Sequence, residues 1–280
     1  MRSLLFTCLA VLGLSACTDD LATSSSTQGV VSNNRLAANR LAANRLAANR
    51  LAANRLAANR LAANRLAANL ATVGDLLKTP DGREVLSFIV SCALKEGDIL
   101  VADVEGAHFE FPGEIGLAPE WEHAALNLPG QHWVSACLFA RVNANDVALP
   151  ISMRGPHRAL ATTEEERTGW PVEEGAFYGQ FFRPLDEPIT WIACRGEGQA
   201  SGEFGGLVDR DCAEPDPARP GLTLCGFEFA GDCGDFAPEY ACEDFREDGT
   251  YYRRCHESAV AQAHRCGKTF REVITTFVTP

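Results

Sequence analysis

The sequence predicts an α+β fold: one disulfide-stabilised globular domain, preceded by an export signal and a spacer of pentapeptide repeats. Two observations predict this class. After residue 70, helical and strand-like apolar patterns follow one another without the strict βαβ order of a parallel sheet. Most of the 11 cysteines also lie in that region, and 46% of the 280 residues are apolar, which suffices for a packed core.

The charge of the chain excludes one class of partner. The formal net charge is −12, from 25 basic and 37 acidic residues. Nucleic-acid binding requires clustered Lys and Arg, so we expect no nucleic-acid partner. Arg2 and the seven repeat arginines all precede residue 70, which leaves 17 basic and 35 acidic residues in the predicted domain.

Residues 1–16 have the organisation of a secretory signal peptide. Arg2 precedes an apolar run at 4–14, shorter than the roughly 20 residues of a membrane span but within the about 7–15 of a signal. The run ends in Leu14-Ser15-Ala16-Cys17, which resembles the lipobox of bacterial lipoprotein signal peptides. The resemblance implies that Cys17 becomes the acylated first residue. The resemblance further implies that the protein binds the membrane through the lipid chains on Cys17, one of which is a palmitate-type chain in amide linkage.

The residue after Cys17 indicates the membrane in which the anchor ends. In lipoproteins an Asp directly after the cysteine favours retention at the inner membrane, and this chain has Thr18 there. The resemblance therefore implies an envelope protein anchored in the outer membrane, either periplasmic or exposed at the surface.

A Ser/Thr-rich tether at 17–33 leads into seven Asn-Arg-Leu-Ala-Ala repeats at 34–70. Five residues advance an α-helix by about 140° beyond one turn, so the leucines form no apolar stripe. On a strand they alternate between faces. We expect a flexible or partly helical spacer that reaches about 40 Å as a coil or about 53 Å as a helix. A short solenoid of the pentapeptide-repeat kind remains an alternative.

The predicted domain, 71–280, begins with a helix. Thr79 as N-cap and Pro80 in the first turn indicate a helix over 83–94. Strands at 98–104 and 108–111 are joined at Glu105-Gly106-Ala107, a hairpin signal. A second helix is predicted at 131–142, after Pro129-Gly130. Further strands are expected at 147–153, 189–194 and 272–278.

The cysteines predict a disulfide framework. Cys8 leaves with the signal and Cys17 is lipidated, so the disulfide candidates are Cys92, Cys137, Cys194, Cys212, Cys225, Cys233, Cys242, Cys255 and Cys266. Cys92 and Cys137 lie on the apolar faces of the two predicted helices, so we expect them to join these helices. The other seven would form three local crosslinks in the loop-rich, Cys-rich part at 194–266. Their connectivity is open, and Cys266 is the candidate for the odd thiol.

A second resemblance covers most of the chain. The repeats, followed by GREVLSFIVSCAL, HWVSACLFARVN, ISMRG and GAFYGQFF, resemble a group of uncharacterised, cysteine-rich bacterial lipoproteins with Asn-Arg-Leu-Ala repeats. The resemblance implies no activity and no functional residues.

Motifs for metals, cofactors and nucleophiles are weak. His256 and His264 lie eight residues apart, wider than zinc motifs, and the acidic loops at 232–235 and 243–248 lack the alternation of a calcium loop. The glycines over 196–206 precede no helical pattern, so they do not predict a phosphate cradle. Cys137 lacks the cationic surroundings of a reactive thiolate. We expect no metal, no cofactor and no catalytic cysteine.

The segment 170–191 is the remaining candidate site. Its aromatic residues are Phe177, Tyr178, Phe181 and Phe182, and Glu173 and Glu174 lie close by in sequence. These residues would either fill a core or line a carbohydrate cleft. The expected function is a non-enzymatic surface or interaction module for a glycan or protein ligand. The alternative is an envelope glycan hydrolase that uses Glu173 or Glu174 as its acid or base.

Overall fold

The computed structural model describes most of the chain after residue 73 and two short segments before it. The described residues are 31–33, 36–37, 74, 76–104, 106–143, 150–183, 190–196, 217, 220, 222–223, 225–234, 241–245, 251–258 and 267–280. The signal peptide, Cys17 and most of the tether and spacer lie outside these ranges, so lipidation and the form of the repeats remain predictions.

The described part mixes helices and sheets, as the sequence predicts. Its helices are α1 (Pro80–Ala93), α2 (Leu128–Ala140) and the short α3 (Glu164–Gly169). The helix α1 begins at the predicted cap, where Thr79 Oγ1 accepts a hydrogen bond from Gly82 N–H at 3.0 Å. The helix α2 begins three residues earlier than predicted, because Asn127 Oδ1 caps it through Gly130 N–H at 2.8 Å.

The largest sheet has six strands in the order β1, β6, β13, β7, β8, β9. These strands are β1 (Val31–Asn33), β6 (Pro150–Arg154), β13 (Ile274–Val278), β7 (Val172–Gln180), β8 (Thr190–Arg195) and β9 (Glu228–Asp232). All neighbours are antiparallel except β8 and β9. The sequence predicts β6, β8 and β13 within three residues of their observed ends, but it does not predict β7.

Smaller sheets complete the domain. The strands β10 (Cys242–Phe245), β11 (Tyr252–His256) and β12 (Thr269–Phe270) form a three-stranded sheet. The strand β2 (Leu36–Ala37) pairs in parallel with β5 (Val142–Asn143). The segments β1 and β2 come from the predicted tether and first repeat, so five residues upstream of the predicted domain boundary pair with the domain.

The predicted hairpin is confirmed as β3 (Ile99–Val104) and β4 (Ala107–Pro112). Val104 pairs directly with Ala107, so the turn has two residues rather than the predicted three. Gly106 lies in the left-handed region with φ 82°, a conformation that such tight turns require and that glycine adopts without steric cost.

The six-stranded sheet is covered on both faces. On β7, Phe177 belongs to the buried cluster that contains α1 and α2, whereas Ala176 and Tyr178 belong to a second cluster formed with β10–β12. On β8, Trp191 and Ala193 face the first cluster while Ile192 and Cys194 face the second. Because successive strand residues point to opposite faces, the domain has three layers: helices, the six-stranded sheet and the three-stranded sheet.

Disulfides join elements in each of these three layers. The predicted Cys92–Cys137 bond links α1 to α2. Cys194–Cys233 and Cys242–Cys255 lie in the second cluster, and Cys225 is disulfide-bonded as well. Cys194 Sγ lies 3.4 Å from Cys242 Sγ, so the two bonds of the second cluster are in contact. Cys212 and Cys266 lie outside the described residues.

Replacing Cys233 with Ser is expected to reorganise the two touching disulfides. The freed Cys194 thiolate would lie 3.4 Å from Cys242 Sγ, and a thiolate exchanges with a disulfide by attacking one of its sulfurs. We expect a Cys194–Cys242 bond to form as Cys242–Cys255 breaks, which leaves Cys255 as a thiol that the unaltered protein does not have. Alkylation followed by peptide mapping identifies which cysteine is free.

The control for this experiment is Cys137→Ser. It frees Cys92, which lies in the helical cluster rather than beside the two touching disulfides. We therefore expect alkylation of Cys92 itself. Alkylation of Cys194 rather than Cys255 in the Cys233→Ser protein would contradict the expected exchange.

Candidate functional site: an arginine-lined cleft

An open cleft of about 980 Å³ lies where α2, α3, β11 and the loop after β6 meet. Five arginines, one histidine and two aromatic residues contribute to its lining: Arg158, Arg167, Arg253, Arg254, Arg271, His157, Trp133 and Tyr251. Glu272 is the only carboxylate among the lining residues that the structure describes. We call this the arginine cleft. Its size lies within the range typical of ligand pockets.

The floor of the arginine cleft depends on close packing at Gly155, directly after β6. A Cβ atom at Gly155 would lie 2.7 Å from the Val273 carbonyl oxygen and 3.4 Å from Trp133 Cζ3. A side chain there would force the backbone and the indole apart. The turn that follows places His157 against Trp133, with ring centroids 5.2 Å apart.

The helix α3, which carries Arg167, is attached to the sheet by a buried polar network. Ser152 Oγ donates a hydrogen bond to Glu166 Oε1 at 2.6 Å, and Arg154 Nε donates to Ser152 Oγ at 2.8 Å. Arg154 also donates to the Trp170 carbonyl at 2.6 Å and lies 3.7 Å above the Phe277 ring. Burial lowers the pKa of Arg154 to about 10, although the Glu166 carboxylate opposes that shift.

The arginine cleft inverts the charge of the surrounding domain. Arg167 pairs with Glu164 at 2.8 Å and Arg254 with Glu243 at 3.3 Å. Arg158, Arg253 and Arg271 are exposed and form no ion pair within the described ranges. Five guanidinium groups around one concavity create a local positive potential on a chain whose net charge is −12.

Glu272, the one acid in the described lining of the arginine cleft, is already engaged. His132 Nδ1 lies 3.2 Å from Glu272 Oε2, and both side chains are more than four-fifths buried. The carboxylate therefore faces a histidine rather than open solvent. Its repulsion of an incoming anion is reduced by that contact.

His157 is a neutral hydrogen-bonding group of the arginine cleft at neutral pH. Burial lowers its pKa below the ordinary 6.5, and the nearby Arg158 lowers the pKa further, while Glu120 acts in the opposite sense. Nδ1 accepts a hydrogen bond from Ala159 N–H at 3.2 Å. This contact selects the tautomer that carries its proton on Nε2, which is a donor suited to an anion.

The residues singled out from the sequence lie elsewhere. Glu173 and Glu174 are consecutive on β7, so they point to opposite faces, and they are 8% and 2% exposed. Glu174 Oε2 accepts a hydrogen bond from Thr276 Oγ1 at 2.8 Å. Neither glutamate lines the arginine cleft. The aromatic residues of that segment are buried, and Phe177, Phe181 and Phe182 belong to the helical core.

The sulfur and histidine groups of the second cluster are also engaged. Sγ atoms of Cys194, Cys233 and Cys242 lie within 4.8 Å of one another, but all three are oxidised in disulfides and offer no thiolate. His256 is 9% exposed and therefore buried. Its ring nitrogens contact Glu243 at 3.2 Å and Thr269 at 3.3 Å. His264 lies outside the described residues.

Sequence reasoning missed the arginine cleft because its residues lie in four separate segments. Arg253 and Arg254 are consecutive, but the others are up to about a hundred positions away in the chain. The one relevant signal in the sequence is the charge balance after residue 70, where 17 basic residues stand against 35 acidic ones. Because clustered arginines repel one another, a group of them in an acidic domain indicates a function.

Comparison with protein-family models, with curated proteins and with solved structures finds no match for this chain. None of the helices in the described part is long and apolar enough to cross a membrane. The function is therefore argued from the geometry of the arginine cleft.

Sulfate is expected to bind the arginine cleft more tightly as the pH falls below 6.5. Sulfate keeps its charge over this range, whereas His157 gains one, and a bound anion stabilises the protonated imidazole. One added charge at about 5 Å in a hydrated cleft strengthens binding about fivefold. Calorimetric titration at pH 7.5 and 5.5 measures the change. In His157→Gln, the sulfate affinity should lose the part of its pH dependence that His157 contributes. An affinity with the same pH dependence as in the unaltered protein would contradict a role of His157 in sulfate binding.

Proposed function

We propose that this protein is a lipid-anchored cell-envelope protein whose folded domain binds an anionic ligand in the arginine cleft, without catalysing its conversion. The observation that carries the proposal is the concentration of five arginines around one concavity of an acidic chain. Like charges gathered in this way repel one another, so a bound anion would relieve a cost that the empty cleft bears.

The chemistry of the lining favours carboxylate, sulfate or phosphate groups. A guanidinium presents two parallel N–H donors to such groups and holds its charge at all physiological pH values. Arg158, Arg253 and Arg271 are exposed, so their donors are open to a ligand. Trp133 and Tyr251 supply apolar and hydroxyl surface beside these charges.

The proposed location is supported by the sequence and by the oxidation state of the cysteines. The lipobox at residues 14–17 is typical of exported lipoproteins. The disulfides of the domain are typical of compartments outside the cytosol. The residues between Cys17 and β1 would tether the domain to the lipid surface, and envelope polymers are found near that surface.

The alternative of a glycan hydrolase gains no support from the geometry. A retaining or inverting glycosidase needs two carboxyl groups that face one substrate across a cleft. Glu173 and Glu174 are buried on opposite faces of one strand. The binding proposal needs no paired carboxylates, and it uses residues that line an open cleft.

Arginine substitution tests the proposed function. In the full-length protein, purified in a non-ionic detergent, Arg253→Gln/Arg271→Gln is expected to weaken sulfate binding on the order of a hundredfold, because each of the two lost charge-assisted hydrogen bonds is worth about 1.5 kcal/mol in a partly hydrated site. Lys78→Gln/Lys95→Gln removes the same charge from exposed positions outside the arginine cleft and should leave the affinity within twofold. Equal weakening by the two pairs would reduce the effect to net charge and contradict a specific site.

Lipidation is tested separately. Cys17→Ala is expected to abolish incorporation of labelled palmitate and to move the protein from the membrane to the soluble fraction, because two or more acyl chains are needed for stable anchoring. The Cys8→Ala variant, altered within the signal, is the control that should stay labelled. A membrane-bound, labelled Cys17→Ala protein would contradict the lipobox assignment.

A further inference from the structure

A second cleft, of about 590 Å³, lies beside the arginine cleft. Its lining includes Gln131 and His132 from α2, Gln180 at the end of β7, Arg183, and Lys268 before β12. We call it the amide cleft. Among its described lining residues Arg183 and Lys268 are cationic and none is acidic.

The two clefts share two segments of backbone. In α2, His132 lines the amide cleft and the next residue, Trp133, lines the arginine cleft. In the segment 268–272, residues 268–270 line the amide cleft and Arg271 and Glu272 line the arginine cleft. Two separate stretches of chain therefore pass from one cleft to the other, so the two clefts are neighbours.

The boundary between them is the His132–Glu272 pair. His132 belongs to the amide cleft, Glu272 to the arginine cleft, and Nδ1 and Oε2 are 3.2 Å apart. Glu272 is the only carboxylate in either lining among the described residues, and the histidine occupies it. A ligand with negative groups on both sides would pass this boundary and meet cations at each end.

The amide cleft also carries groups suited to hydroxyl-rich ligands. Gln180 Nε2 donates one hydrogen bond to Gln131 Oε1 at 3.0 Å, which leaves its second N–H for another acceptor. Thr190 and Thr269 add hydroxyl groups to the lining. Leu128, at the rim, is 58% exposed and offers an apolar surface of the kind that the faces of sugar rings cover.

Aromatic exposure separates an acidic glycan from a single-stranded nucleic acid. Proteins that bind single strands stack bases on open aromatic faces. The rings in the amide cleft, Phe182 and Phe270, are only 2% and 3% exposed, and Trp133 in the arginine cleft is 9% exposed. Of the Phe, Tyr and Trp rings that line the two clefts in the described chain, only Tyr251 is partly exposed. Charged and hydroxyl groups are accessible, whereas a series of stacking platforms is not, and this combination fits an acidic oligosaccharide.

We propose that the two clefts form one groove for an acidic oligosaccharide of several sugar units, with carboxylate or sulfate groups on both sides of the His132–Glu272 pair. The inference rests on the proposed function, because the arginine cleft is one half of the groove. It adds the class of ligand and a second half, in which Arg183 and Lys268 supply the cations.

The test compares a short and a long probe of the same chemistry on the full-length protein in non-ionic detergent. Heparin-derived disaccharide and octasaccharide are titrated by calorimetry at 50 and 200 mM NaCl. We expect the octasaccharide to bind at least tenfold more tightly than the disaccharide and to show a steeper salt dependence, because it releases counterions along both clefts.

Variants of each cleft separate the two proposals. Arg183→Gln/Lys268→Gln should weaken octasaccharide binding at least fivefold, reduce its salt dependence and leave the disaccharide within twofold. Lys268→Gln alone, at an exposed position, gives a smaller effect of the same sign in a protein that keeps the Arg183–Thr190 hydrogen bond. Arg253→Gln/Arg271→Gln should weaken both probes, and Lys78→Gln/Lys95→Gln neither.

Several results would overturn the groove. The groove would be contradicted if both amide-cleft variants bound the octasaccharide with unchanged affinity, or if the octasaccharide and the disaccharide bound with equal affinity. Either result would leave the effect of the arginine-cleft variant on sulfate binding intact. If Arg253→Gln/Arg271→Gln changed the affinity for neither probe, the proposed function itself would be contradicted. Oligothymidylate of matched charge that binds as tightly as the octasaccharide would show that the ligand class is wrong.

Discussion

The structure depends on a central strand that is buried on both faces. The strand β7 lies between β13 and β8, and its alternate side chains belong to two different cores. Phe177 packs with the helices, while Tyr178 points to the opposite layer and donates a hydrogen bond to the His256 carbonyl at 2.7 Å. Complete burial raises the pKa of the Tyr178 hydroxyl far above its ordinary value, so it remains a donor. The two cores cannot separate without exposing β7.

Covalent bonds reinforce the second core. Twelve of the described residues are buried in it, and four of these are the cysteines of the two touching disulfides. Cys242 and Cys255 occupy directly paired positions on β10 and β11. Disulfides contribute most by restricting the unfolded chain, typically about 2–4 kcal/mol each. Because β11 also carries Arg253 and Arg254, the bond that holds this sheet also positions one wall of the arginine cleft.

The arginine cleft lies where the layers meet, so residues from several elements line it. The helical layer supplies Trp133, the loop after the edge-proximal β6 supplies His157 and Arg158, and the three-stranded sheet supplies Arg253 and Arg254. A concavity with that many guanidinium groups costs free energy when it is empty. A ligand that binds only the folded form would stabilise the whole domain by mass action. Binding of the proposed ligand in the arginine cleft would therefore also raise the stability of the domain.

Local signals in the sequence determined α1 with its Thr79 cap, α2 and the β3–β4 hairpin, because each depends on residues within a few positions of one another. They did not predict the short α3 or the Asn127 cap of α2. The apolar faces of two helices were also enough to predict Cys92–Cys137. The strand β7 was missed because a strand buried on both faces lacks the alternation that marks a half-exposed one. The sequence does not distinguish among the possible disulfide partners of Cys194 and Cys242, because only the folded chain brings the paired sulfurs together. Only tertiary structure assembled the arginine cleft, since Arg158 and Arg271 are far apart in the chain and become neighbours when three layers pack together.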